Sequence, residues 1–398
     1  MDPSEASFKI AIVGGGIVGS ALAYFLSKSL ENGNEVVLID RSFSQLKGST
    51  GHAPGFIGQY NESEALTRLA VDTVSEYKKI PGAFESIGGL EVATALEGVE
   101  RLKVRYNMAK KVGLPAELLS PEQATKLAPD LVKNDILSAL HFASDGAANA
   151  VRITSFFQDQ ARKNSVHFLE TDVKEIIQED GSVNGVRTTS GLVKAEKVVI
   201  ATGIWSEDLC DFGVPIPVIP VAHPYMYGEQ CQPKPRKSPF VRWPEFHVYA
   251  RDHGTAYGLG AYDHKPLYHK PNETAIGDWV DAFDATLERA RSLIPAETNL
   301  AIKEKFNGIF SMTPDNLPLV GRISSIKGLY MATAVWVTHA AGSAKFLTKL
   351  IQGEEVDESL KKALDPNRFQ GKEMQALKEE SLAGYNSIYS TNENRRSR

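Results

Sequence analysis

The chain is poor in cysteine: Cys210 and Cys231 are the only two in 398 residues. They could pair, but two cysteines build no disulfide framework, and neither has zinc-ligand spacing. A reducing compartment, the cytoplasm, is therefore expected. No apolar run approaches the length that spans a bilayer. Residues 1–8 are short and polar, so no signal or transit peptide is expected. Residues 392–398 read as a frayed polar tail without a peroxisomal or prenylation signal. The net charge of −5 gives no general attraction to nucleic acid or anionic membrane, and neither partner is expected. No internal repeat, serine nucleophile elbow or P-loop is found.

What is present is an ordinary globular composition, 42% hydrophobic and 23% charged, in a chain longer than one core usually holds; two domains are expected. Residues 8–13 read as a buried strand, 17–30 as a helix with apolar residues at helical spacing, and 35–39 as a second buried strand ending at Asp40. Together they make a βαβ unit. Residues 42–59, rich in Gly and Ser, are expected to form an ordered loop. Helices are expected over 62–80, 99–112, 121–127, 152–163, 286–292 and 342–351, with Ser120 capping the third and Pro121 at its first position. Strands are expected at 90–95, 167–178, 183–189 and 195–201. Residues 214–269, rich in Pro, Tyr, His and Gly, suit an antiparallel sheet carrying a substrate site, and 308–335 supplies more short strands.

The loop Gly14-x-Gly16-x-x-Gly19 lies between the first strand and the helix. One glycine permits the tight turn, one lets a phosphate approach the backbone, and one allows close strand–helix packing. The helix start then offers N–H groups and a positive dipole end to a pyrophosphate, and Asp40 can accept hydrogen bonds from ribose hydroxyls. The loop alone does not choose between FAD and NAD. Its position near the N-terminus, and the later strand Val198-Val199-Ile200-Ala201-Thr202-Gly203, favour FAD. The fold expected is α/β, with a discontinuous FAD-binding Rossmann-like domain (1–88, 145–213 and 306–398) and a β-rich substrate domain (89–144 and 214–305).

Four ordered stretches carry a family resemblance. They are Gly48-Ser49-Thr50-Gly51-His52-Ala53-Pro54-Gly55, Pro220-Val221-Ala222-His223-Pro224-Tyr225, residues 257–266, and residues 307–315 running on to 334–342. They resemble the dimethylglycine oxidase, dimethylglycine dehydrogenase and sarcosine dehydrogenase group of the D-amino-acid-oxidase-like superfamily, and residues 365–389 resemble the end of its oxidase region. In that group the histidine matching His52 is linked covalently to the flavin, so the resemblance implies FAD tethered through His52. A neutral imidazole is a suitable nucleophile near pH 7. His223 and Tyr262 match the group's active-site histidine and tyrosine.

The chemistry gives these two residues work. Flavin N5 accepts hydride from a carbon next to nitrogen, and an ammonium has no lone pair to stabilise the developing iminium. His223, titrating near neutrality, can take or share the amine's proton. Tyr262 can orient the substrate through its hydroxyl, and Tyr225 shares the face of His223 if the segment is a strand. Against this stands the plain alternative that tyrosines in β-rich regions are usually packed and histidines are common structural hydrogen-bonders. The cofactor-binding set expected is Gly14, Gly16, Ile17, Val18, Gly19, Asp40, Arg41, Ser49, Thr50, Gly51, His52, Phe56, Val173, Gly203, Trp205, Val337, Thr338 and His339. Arg242 and Arg251 are candidates for a substrate carboxylate. His247, His253, His264 and His269 cluster in sequence with no trusted metal spacing, and no metal is expected.

The activity this implies is oxidation of a secondary or tertiary amine, an N-methylated amino acid, to an iminium that water hydrolyses to the demethylated amine and formaldehyde. O2 or an electron-transfer protein would reoxidise the flavin. The relatives commonly carry a folate-binding half beyond the point where this sequence stops, so release of formaldehyde is expected. Three alternatives stand beside it: intramolecular capture of the iminium to close a ring, a flavin-binding partner subunit or sensor without turnover, and an NAD dehydrogenase, which the distribution of motifs disfavours.

Overall fold

The apolar runs at the start of the sequence become the strands Ser7–Val13 and Val36–Asp40, joined by the helix Ile17–Ser29. In this computed structural model the described residues are 7–388 except 31, 32, 210, 211, 235 and 299. Cys210, and with it the question of pairing, lies outside them, as does the tail 392–398. Cys231 is a free thiol.

The first sheet has five parallel strands in the order Leu329–Thr333, Gly191–Ile200, Ser7–Val13, Val36–Asp40 and His167–Glu170. Both faces are covered, so its central strands are continuously apolar where they are buried, at residues 10–13, 36–39 and 198–200. Ile10 and Ile12 face the helices Ile17–Ser29, Ala150–Lys163 and Ala340–Gln352. Ala11 and Val13, one residue out of phase, face a second core that includes the antiparallel strands Val173–Glu179 and Ser182–Thr188. This is the Rossmann-like arrangement expected. The region 42–59 contains the four-residue helix Ser49–His52 and the short strand Phe56–Ile57. Ser120 caps Pro121–Leu127 with a full capping box. Among the described residues no helix is long and apolar enough to cross a membrane.

The second sheet has nine strands: Ile276–Gly277, Ile302–Met312, Ile219–Gly228, Tyr257–Ala261, Val248–Asp252, Phe240–Trp243, Gly89–Ala93, Ser138–Phe142 and Glu117–Leu119. The strand Ile302–Met312 pairs along its whole length with Ile219–Gly228, so a domain boundary at 306 falls inside a strand of this sheet. Alternation sends Leu90, Val92, Met226, Val241 and Leu259 to an aliphatic core on one face. The register sets Tyr225 opposite Gly260, Tyr249 opposite the same glycine, and His223 opposite Gly308. The other face therefore gathers His223, Tyr225, Tyr249, Phe306 and Phe310.

Glycine leaves the room these rings occupy. A Cβ on Gly260 would lie 2.3 Å from the Tyr249 ring, and one on Gly258 would lie 1.9 Å from the Tyr225 hydroxyl. Gly260→Ala should overpack this face and cost about 1–3 kcal/mol. A thermal melt of the variant should show a clearly lower midpoint; an unchanged midpoint would mean the aromatic face has slack.

Candidate cofactor cleft and active site

A cavity of about 450 Å³ lies between the ends of the parallel strands and the aromatic face of the second sheet. Its floor is the glycine loop. Gly14 adopts φ +111°, and a Cβ there would lie 2.4 Å from the Ala201 carbonyl. A Cβ on Gly19 would lie 1.8 Å from the Gly14 carbonyl, so the helix start can press against the strand only without a side chain. No side chain caps this helix at Gly16, and Gly16, Ile17 and Val18 border the cavity. The carboxylate of Asp40 accepts the Gly15 N–H at 2.6 Å through one oxygen and the Ser42 N–H at 2.9 Å through the other. It thus clamps the loop while keeping further lone pairs for a ligand.

Residues 48–55 bridge the two sheets. Thr50 Oγ1 accepts the Ile17 N–H at 3.1 Å, and Ser49 Oγ donates to the Ile309 carbonyl at 3.3 Å on the second sheet. Ser49, Thr50 and His52 border the cavity. Burial lowers the pKa of His52, so its imidazole is neutral at pH 7. At the opposite end Arg41 lies over the Trp205 ring, 4.4 Å from its centroid, and both border the cavity with Val173 and Gly203.

His223 and Tyr225 line the inner wall with Phe306, Phe310, Trp336 and Val337. His223 is 2% exposed. Its Nε2 lies 2.8 Å from the Tyr249 hydroxyl and its Nδ1 lies 2.6 Å from the Tyr385 hydroxyl. Burial, reinforced by nearby His264, holds its pKa well below the ordinary value. The expectation that His223 titrates near neutrality is therefore revised: it is a neutral ring, because water is excluded around it. Tyr225 directs its hydroxyl to His253 Nε2 at 2.9 Å.

Several expected positions lie behind the wall. Tyr262 does not border the cavity; its ring packs 4.6 Å from that of His223. Gly19 and Gly51 act through packing, since a Cβ on Gly51 would meet the Leu46 carbonyl at 2.2 Å. Phe56 packs 4.6 Å from Phe240, and Thr338 donates to the Phe56 carbonyl. His339 is buried, with its pKa pushed down to about 3 by desolvation. Of the arginines, Arg242 is bound to the buried Glu91, which also takes two hydrogen bonds from Arg105. These three border a second cavity of about 350 Å³ that shares Trp336 with the first. Arg251 donates to the Pro54 carbonyl and has no hydrogen-bond partner for its buried Nε. The histidines grouped in sequence separate in space: His253 bonds Tyr225 and His264 bonds Tyr385. The partners of His223, Tyr249 and Tyr385, were missed; no spacing marks Tyr385, which arrives on the helix Met374–Tyr385 from 162 residues away.

The family model for FAD dependent oxidoreductase (DAO) matches residues 9–350. The chain belongs to this family. As a family member it is similar to mitochondrial dimethylglycine dehydrogenase of Mus musculus, 27% identical over 90% of this chain and 44% of that protein. It is similar also to 4-methylaminobutanoate oxidase (formaldehyde-forming) of Paenarthrobacter nicotinovorans, 25% identical over 93% of this chain and 46% of that protein. It thus spans under half the length of both. Among solved structures, L-proline dehydrogenase from P. horikoshii superposes with a TM-score of 0.80, at 25% identity over 91% of this chain and 98% of that one. The residues present fit FAD: a side-chain-free turn, an uncapped helix start and a cleft long enough to border both Trp205 and His223.

Asp40→Ala removes the acceptor for both Gly15 and Ser42. At about 1.5 kcal/mol or more for each hydrogen bond to a charged group, FAD affinity should fall at least about tenfold. Flavin fluorescence titration of the apoprotein in a His52→Ala background, where binding is reversible, measures this; unchanged affinity would show that the loop holds its shape without the clamp.

Proposed function

We propose that this family member oxidises a secondary or tertiary amine bearing a carboxylate, an N-methylated amino acid, and releases the demethylated amine and formaldehyde. The observation that carries this reading is the buried aromatic wall around a neutral His223. The desolvation that keeps His223 uncharged acts equally on a substrate ammonium and favours its free base, which alone has the lone pair that oxidation requires. FAD, when bound, supplies the hydride acceptor. His223 then serves as a fixed hydrogen-bonding ring, Tyr225 as part of the same wall, and Tyr262 as the packing that sets the tilt of His223.

Arg251 is the arginine we assign to the substrate carboxylate. Its Nε lacks a partner, it forms no ion pair among the described residues, and it stands beside Pro54 and Gly55. Arg242 is a poorer choice because Glu91 already neutralises it. Water hydrolyses the iminium outside the aromatic wall, and O2 or an electron-transfer protein accepts the electrons. We further propose that His52, neutral and bordering the cleft, tethers the cofactor covalently, and that the enzyme works in the cytoplasm.

An anaerobic panel of amines should bleach the flavin with N-methyl amino acids, and the same substrates under air should yield one formaldehyde per turnover. A flavin that no amine bleaches would sink the oxidative reading; bleaching without formaldehyde would mean the iminium is captured another way. The tether has its own check. Acid precipitation should leave the yellow colour in the pellet of the native protein and in the supernatant of His52→Ala; colour in the supernatant of both would remove it.

A further inference from the structure

The cavity of about 350 Å³ beside the cofactor cleft is separated from it by Trp336, which borders both. Its volume is that of a small-ligand pocket. Four charged side chains border it. Glu91 and Arg242 stand in register on paired strands of the second sheet, Arg105 comes from the helix Leu96–Lys111, and Glu62 precedes the helix Glu64–Tyr77. Two are negative and two are positive. The remaining acid on the border, Asp315, is already held by hydrogen bonds of 2.8 and 2.9 Å from Arg368. The cavity therefore presents both signs of charge and no excess of either. An ion of one sign would be left uncompensated there, whereas a dipolar ligand would not.

The wall also has unfilled hydrogen-bonding capacity. Arg105 donates from Nε and one terminal nitrogen to Glu91 at 2.8 and 3.0 Å, and from the other terminal nitrogen to Glu62 at 3.1 Å. A guanidinium has five N–H groups, so two of them have no acceptor among the described residues. Tyr60 and Asn316 border the same cavity, and each has a buried side-chain oxygen without a hydrogen-bond partner. Tyr60 is 6% exposed, and the Arg105 guanidinium carbon lies 4.9 Å from its ring centroid. Buried polar atoms normally find partners, so orphans gathered around one cavity point to a ligand. Leu66, Leu317 and Ile388 supply apolar surface between the charges.

We propose that this cavity is a binding site for a small zwitterionic α-amino acid, separate from the cleft in which oxidation takes place. The carboxylate takes the open N–H groups of Arg105, the ammonium faces Glu62, and an apolar side chain lies against Leu66, Leu317 and Ile388. The two cavities thus select opposite forms of one chemical class. The aromatic wall around His223 favours an uncharged amine, while the paired charges next door hold the dipolar form that predominates in water. An occupant leans on Trp336 and so on the wall of the cleft. The assignment does not depend on which amine is oxidised.

Equilibrium dialysis of the holoenzyme, with its flavin kept reduced by dithionite so that no probe is oxidised, tests the site. Valine should bind saturably. Its two fragments, 3-methylbutanoate without the ammonium and isobutylamine without the carboxylate, should each bind at least about tenfold more weakly, the share of one hydrogen bond to a charged group. Glu62→Gln should weaken valine by about tenfold for the same reason, and Ile388→Trp should fill the cavity and abolish its binding. Absence of saturable valine binding overturns the proposal. So does a fragment that binds as tightly as valine, or a valine affinity that either substitution leaves unchanged. Should Glu62→Gln fail to fold, the fragments and Ile388→Trp still decide. A flavin that no amine bleaches would count against the proposed activity and leave this site standing.

Discussion

The contact between Gly14 and Gly19 is the constraint on which the rest of the cleft depends. With no Cβ possible at position 19, the helix Ile17–Ser29 begins directly against the end of its strand. That fixes where the helix start points and brings the Ile17 N–H to Thr50. Thr50 in turn seats the short helix Ser49–His52, and Ser49 reaches across to Ile309. A single sterically forbidden side chain thus sets a sequence of contacts that ends on the opposite sheet. Asp40 holds the same loop from the other strand, so the turn is gripped twice before any ligand arrives.

The second sheet supplies the opposite wall by a different rule. Alternation in its strands divides an aliphatic core from an aromatic face, and glycines opposite the tyrosines make the face thick without strain. Thickness has an electrostatic consequence. It buries His223 so deeply that charge there becomes unfavourable and the ring stays neutral. Glu91 and Arg242 of this sheet, with Arg105 from the helix Leu96–Lys111, border the neighbouring cavity and compensate one another there.

Much of this was legible in the sequence, for identifiable reasons. The βαβ unit was plain because apolar runs and glycine spacing are local signals, and the expected strand 8–13 appears as Ser7–Val13. Gly14, Asp40, Thr50 and His52 could be picked out because each belongs to a short contiguous pattern. Tyr249 and Tyr385 could not, because their importance lies in hydrogen bonds to a residue 26 and 162 positions away. His264 was noticed only as one of four nearby histidines, a grouping that the fold dissolves. The titration of His223 was misjudged because burial is a property of the assembled wall, not of the residue. The strand Ile302–Met312 runs through the boundary expected at 306, because its pairing with Ile219–Gly228 joins segments some eighty residues apart and leaves no local signal.

The cleft is bordered by residues as far apart as Val13 and Val337. A molecule bound there touches both sheets at once, and it favours only the folded form. Its binding free energy is then added to the stability of the whole chain, by about 2.7 kcal/mol when free FAD is a hundred times its dissociation constant. Flavin supply would therefore set how much of the chain is folded as well as how much of it is active.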